Sequence, residues 1–163
     1  MKIWFAILMA FCSVGCKQNS TSNSTGPKST MDASPLPAET ISELNKNCTS
    51  IDLISLKKEV NVSMNFDNPQ AVQYVVSFIT DEKGIVAPGS KPEGRVSFQK
   101  NGEIVYDADL YYSDGSNAMV WVDMQAKVLN MNKISPEGID FFKNFLKPQV
   151  KGPRDSSAQI TPK

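Results

Sequence analysis

With 163 residues, 40% of them hydrophobic and 21% charged, the chain has the composition of one ordinary globular domain with short flanking segments, not of a disordered or multi-span protein. Lysine plus arginine and aspartate plus glutamate both number 17, which leaves no electrostatic footprint for nucleic acid, and the absence of histidine removes the commonest metal ligand and general base. Between residues 37 and 150, where the folding content lies, 11 basic residues stand against 15 acidic ones, a net of −4 that opposes adhesion to phosphate backbones or an anionic bilayer.

The chain opens on an export signal. Met1-Lys2 supplies a short positive start, Ile3 to Phe11 is an unbroken apolar run, and Ser13-Val14-Gly15-Cys16 closes it with small residues before a cysteine. Only 13 residues separate Lys2 from Cys16, whereas a membrane-spanning helix needs about 20. These residues resemble the signal of bacterial lipoproteins, whose last four positions read Leu, Ala or Ser, Gly or Ala, then Cys; Ser13 departs from the leucine, while Gly15 and Cys16 fit. Cys12 follows bulky Phe11 and suits a small-residue cleavage site less well. The resemblance implies removal of residues 1–15, acylation of Cys16 and attachment to a bacterial membrane, the outer one in a cell with two. Several acyl chains on one cysteine would make that anchoring effectively permanent.

Residues 16–36 then read as the lipidated cysteine and a disordered tether. Gln, Asn, Ser, Thr, Gly and Pro dominate, and only Met31 and Leu36 could bury much apolar surface. A flexible coil of that length spans roughly 25 Å, enough to hold a domain clear of lipid headgroups. Residues 151–163, with Gly152, Pro153 and Pro162, read as a frayed tail.

The domain, residues 37–150, starts with a short helix from Pro37 to Lys46, where Ile41 and Leu44 lie three apart. Ile51 to Leu56 reads as a strand, and Val60, Val62, Met64 and Phe66 alternate with polar residues as a half-buried strand does. The β-branched run Val72 to Thr80 suggests a central strand with Asp81 to Gly84 as its turn, followed by a loop from Ala87 to Gly94. Face matching around Lys100-Asn101-Gly102 favours a three-residue loop pairing Phe98 with Ile104 and Val96 with Tyr106. The next hairpin, around Asp114-Gly115, then pairs Tyr112 with Ala118, Leu110 with Val120 and Ala108 with Val122. Ser135-Pro136-Glu137 opens a C-terminal helix carrying Ile139, Phe141, Phe142, Phe145 and Leu146, stopped by Pro148. The expected architecture is α+β, a mostly antiparallel sheet of five to seven strands with the C-terminal helix on one face; a β-sandwich is the alternative.

That register sets Asp107 opposite Asp123 and Asp109 opposite Trp121. Two opposed carboxylates need water, a lysine such as Lys127, or a cation, and the candidate cation site is calcium on Asp107, Asp109 and Asp123. The same face carries Tyr111, Met119 and Trp121. These form a candidate docking patch for an envelope protein, a glycan or a hydrophobic ligand unless the C-terminal helix covers them. Cys48 is the only cysteine left after signal removal, so the mature domain has no internal disulfide and no thiol–histidine couple. No glycine-rich phosphate loop or other catalytic motif stands out. Three functions follow in order of preference: a non-enzymatic, membrane-anchored lipoprotein binding an envelope component or small ligand; an assembly module recruiting a partner by strand addition; and a carboxylate-based glycan hydrolase using Asp107 and Asp123.

Overall fold

A computed structural model of the protein describes residues 31–147. The expected export signal and acylation site at Cys16, most of the expected tether and the expected tail lie outside the described residues, as does Pro148. The chain runs α1 (Ala38–Asn47), β1 (Ser50–Ser55), β2 (Ser63–Phe66), α2 (Pro69–Val76), β3 (Ile79–Lys83), β4 (Gly94–Lys100), β5 (Glu103–Tyr111), β6 (Ala118–Val122), β7 (Val128–Ile134) and α3 (Pro136–Phe145). The strands form one seven-stranded sheet in the order β2-β1-β4-β5-β6-β7-β3, with every neighbouring pair antiparallel. The fold is α+β. A single continuous sheet takes the place of the sandwich alternative.

All three helices contribute to the core on one face. Leu44 of α1, Val72, Val75 and Val76 of α2, and Phe142 with Leu146 at α3 meet Leu53, Val96, Phe98, Leu110, Met119 and Trp121. The opposite face is divided. Towards β6 and β7 it buries Val120, Val122 and Met131 beneath Met31, Ala33 and Val86. Towards β1 and β5 it is a polar lattice: Asn65 and Gln99 donate to Asp52, Ser97 to Asp107, and Arg95 to Asp109.

Residues 31–36, expected to belong to the tether, lie against the sheet. Ser34 accepts the Met131 amide through its carbonyl, Leu36 is buried, and its amide donates to the Asn132 side chain. The sparse apolar residues of that segment suffice because β3 pairs only with the C-terminal half of β7, leaving the rest of that edge free to receive it.

The expected strand from Val72 to Thr80 is also corrected. Asn68 accepts from the amides of Gln70 and Ala71, Pro69 opens the first turn, and Val72, Val75 and Val76 form an i, i+3, i+4 stripe, so this stretch is a helix despite its β-branched residues. The strand begins at Ile79 and continues through Asp81–Lys83, where a turn was expected. Gly84 follows because a Cβ there would meet the Ala118 Cβ at 2.8 Å and the Asn132 carbonyl oxygen at 2.7 Å.

Both hairpin registers differ from expectation. Asn101 and Gly102, at φ 54° and 83°, make a two-residue turn, and a bulge between Phe98 and Gln99 sets Phe98 opposite Tyr106 with Val105 left over. That extra residue restores the apolar faces that a plain two-residue turn would have mismatched. In the second hairpin Tyr111 is opposite Ala118, Leu110 opposite Met119 and Ala108 opposite Trp121, one residue from the expected pairing. β6 is buried on both faces, so its polarity pattern carries no register information.

Candidate functional site

The revised register redistributes the residues singled out in the sequence. Met119 and Trp121 face the helices at 0% and 1% exposure, and the Trp121 indole packs tilted against Phe98 and edge-on to Tyr106 while its Nε1 donates to Asn132 at 2.7 Å. Tyr111 points to the opposite face and is buried against Val86 and Ala118. Tyr111, Met119 and Trp121 therefore form no docking patch. The cause is the one-residue shift together with the cover of the helices over the Trp121 face.

Asp107, Asp109 and Asp123 are likewise not gathered. Asp107 lies opposite Val122 and Asp109 opposite Val120 on the polar lattice, where Asp109 is neutralised by Arg95 at 2.7 Å. Asp123 stands beyond the end of β6, and its Oδ1 accepts the Gln125 and Lys127 amides at 2.9 Å each, closing the turn into β7. Among the described residues no group of three acidic, cysteine or histidine side chains converges as a metal site. Asp107 and Asp123 do not face each other across the strands, which is the arrangement expected for a glycan-hydrolysing carboxylate pair. Cys48 is half-buried, its thiol donating to the Ser50 carbonyl at 3.2 Å, and burial pushes the thiol up from its ordinary value.

A groove of about 750 Å³ opens at one end of the sheet. Three connections build its walls: residues 56–62 after β1, 84–93 before β4, and 112–117 between β5 and β6. They meet because β1 ends and β4 begins as a pair, Ser55 opposite Gly94, with Leu110 of β5 on the other side of Gly94. Gly94 lets the strands and α3 approach closely there, since a Cβ would fall 2.6 Å from Leu146 Cδ1 and displace it.

The floor is organised by Glu93, whose side chain is almost buried. Its Oε1 accepts from Lys57 Nζ at 2.8 Å and Ser113 Oγ at 2.6 Å, and its Oε2 accepts the Tyr112 amide at 3.0 Å. Burial alone would raise the Glu93 carboxyl, but the hydrogen bonds from Lys57, Ser113 and Tyr112 together outweigh it and hold the group below its usual range. A carboxylate so satisfied is a weak base. Its hydrogen bonds to Lys57, Tyr112 and Ser113 join the three loops.

Lys57 also lies 5.3 Å from the centre of the Tyr112 ring, which packs on its other side near Phe142. The Tyr112 hydroxyl is buried without a hydrogen-bond partner, and burial, then the nearby Glu93 charge, raises its pKa. Ser116 Oγ accepts the Ala87 amide and pairs with Ser90 Oγ, both bonds at 3.0 Å. Three lysines, Lys57, Lys58 and Lys91, face three acids, Glu59, Glu93 and Asp114, so the groove is rich in donors and acceptors and balanced in charge.

Sequence reasoning passed over this groove because its residues come from three separated loops with no fixed spacing. The one available signal was the concentration of Lys, Glu, Ser, Gly and Pro in those loops. Set against family models, curated proteins and solved structures, the chain gives no match in any of the three comparisons.

Proposed function

We propose that this protein is a membrane-anchored binding module of a bacterial envelope, held by acyl chains on Cys16 and presenting the loop-end groove to a polar envelope component. The groove itself carries the proposal. Three loops are locked together by a half-buried Glu93–Lys57–Ser113 centre, yet leave an open volume of about 750 Å³ lined with hydroxyls and charges of both signs. Pre-formed, concave and polar, it suits a short peptide or glycan bearing both donors and acceptors. The chain's lack of histidine and the weak basicity of Glu93 favour recognition over turnover.

Two experiments test the parts separately. Cys16→Ser moves the protein from the salt-washed membrane fraction to the soluble one if the anchor is as described; an unchanged membrane fraction refutes it. A photoreactive residue at Lys91, on the groove rim, gives one dominant crosslink in intact cells. The same group at exposed Asp140 on α3 gives none, and identical products at both positions refute the groove. One feature favours strand addition as a second reading: β2 is a four-residue edge strand paired on one side only.

A further inference from the structure

The sheet end opposite the groove exposes four large apolar side chains among its charged turn residues. Ile104, Val105, Met124 and Leu129 are 59%, 43%, 95% and 50% exposed, while the other large exposed apolar residues, Ile54, Leu56 and Tyr74, lie elsewhere. Topology places the four at one end of the sheet. β5 begins at Glu103, β6 ends at Val122 and β7 begins at Val128, and the pairing of Asp107 with Val122 brings Met124 level with Val105. Three of the four exposures have a structural cause. Val105 is the residue squeezed from the ladder by the β4–β5 bulge, and Leu129 is squeezed out where the β6–β7 register shifts. Met124 occupies a turn that Asp123 holds shut through two amides.

We infer that this end is a membrane-contact edge: Met124, Val105, Ile104 and Leu129 sit in the headgroup–acyl boundary of the bilayer that carries the Cys16 anchor. The groove then faces away from the lipid. The inference rests on the acyl-anchor proposal and adds an orientation to it. Chain length permits it. Cys16 and Met31 are separated by 14 residues, a length that spans roughly 20 Å as a coil. Ser34 is bonded to Met131, and the strand from there to the turn covers roughly 15 Å. Anchor and edge thus reach one lipid surface with residues 31–36 still docked.

Charge at this edge nearly cancels, since Lys100 is opposite Glu103 and the Asp123 carboxylate beside Lys127 is occupied by its own turn. The contact is apolar and insensitive to salt. Four partly exposed side chains bind lipid only weakly alone, as even a single acyl chain does. The edge orients a domain that is already anchored.

The test uses the acylated full chain on zwitterionic phosphatidylcholine vesicles containing brominated acyl chains, with Met124→Trp as probe and Leu56→Trp, at the groove end, as control. Met124 is almost wholly exposed, so the substitution leaves folding intact. Flotation reports the anchor, and bromine quenching reports the edge. The expected result is co-flotation of both variants, with the indole from Met124→Trp blue-shifted and quenched several-fold more than that from Leu56→Trp, unchanged at high salt. Co-flotation with equal, weak quenching of both indoles overturns the edge and leaves the anchor standing. Failure to float removes both. Shielding of the Met124→Trp indole that depends on protein concentration without vesicles assigns this end to self-association and overturns the inference.

Discussion

Asn132 is the joint on which the structure can be tested hardest. It lies in β7 and is fully buried; its Oδ1 accepts from the Leu36 amide at 2.9 Å and from Trp121 Nε1 at 2.7 Å, and its Nδ2 donates to the Thr80 carbonyl at 2.8 Å. One side chain therefore ties together the N-terminal segment, the core tryptophan and edge strand β3. Replacing it with similarly sized leucine strands two N–H groups and one carbonyl in an apolar surrounding. Each orphan costs about 1–3 kcal/mol, partly offset by no longer burying the Asn132 amide, for a net loss of about 3–5 kcal/mol. Against a total stability of about 5–15 kcal/mol that is a large share, and for a domain of this size it lowers the melting temperature by about 15 °C. Urea unfolding of Asn132→Leu, followed by near-ultraviolet circular dichroism, measures it. In a Trp121→Phe background one orphan is absent, so the cost of Asn132→Leu falls by about 1–2 kcal/mol. A loss under about 1 kcal/mol with unchanged denaturant slope, or no coupling to Trp121, refutes the reasoning.

Three further outcomes are expected. The Glu93 carboxyl is held below its unfolded value, so it contributes stability that is complete above about pH 4.5 and drains away as pH falls through the lowered folded value; Glu93→Gln costs about 2 kcal/mol at pH 7 by denaturant titration, and its deficit shrinks on acidification. A deficit that is constant with pH contradicts the ion-paired floor. Gly138→Ala, normally favourable within a helix, destabilises by about 1–3 kcal/mol, because its Cβ falls 2.6 Å from the Phe78 Cβ and 2.9 Å from Ile134 Cγ2; a raised melting temperature shows that α3 sits less closely on the sheet. Asp123→Ala loses the two amide bonds that close its turn and costs about 1 kcal/mol, while calcium leaves the melting temperature of the native chain unmoved; a calcium-dependent rise that this substitution abolishes restores the metal site.

How far the sequence foretold the structure depends on where polarity alternates. β1, and the C-terminal helix opened by Ser135-Pro136, follow directly from pattern and capping chemistry. α2 was hidden because Val72, Val75, Val76 and Ile79 satisfy strand and helix patterns alike, and the Asn68-Pro69 start decides between them. β6 is apolar on both faces, so nothing in it distinguishes the Trp121 face from the Val120 face, and one residue of register moved the whole candidate patch indoors. The bulge at Val105 is set by the two-residue turn meeting the demands of the core, a long-range balance that no local window contains. The groove escaped for the same reason. Glu93, Lys57 and Ser113 come from three loops that become neighbours only once β1, β4 and β5 are in register.

The proposed anchor at Cys16 bears on both the proposed function and the orientation of the domain, and intact-mass measurement of the mature protein extracted from its native membrane tests it most directly. The account predicts a polypeptide of residues 16–163 carrying the added mass of acyl chains, all of it on the N-terminal peptide that begins at Cys16. An unmodified polypeptide, or one whose N-terminus lies elsewhere and which washes off membranes at high ionic strength, contradicts it.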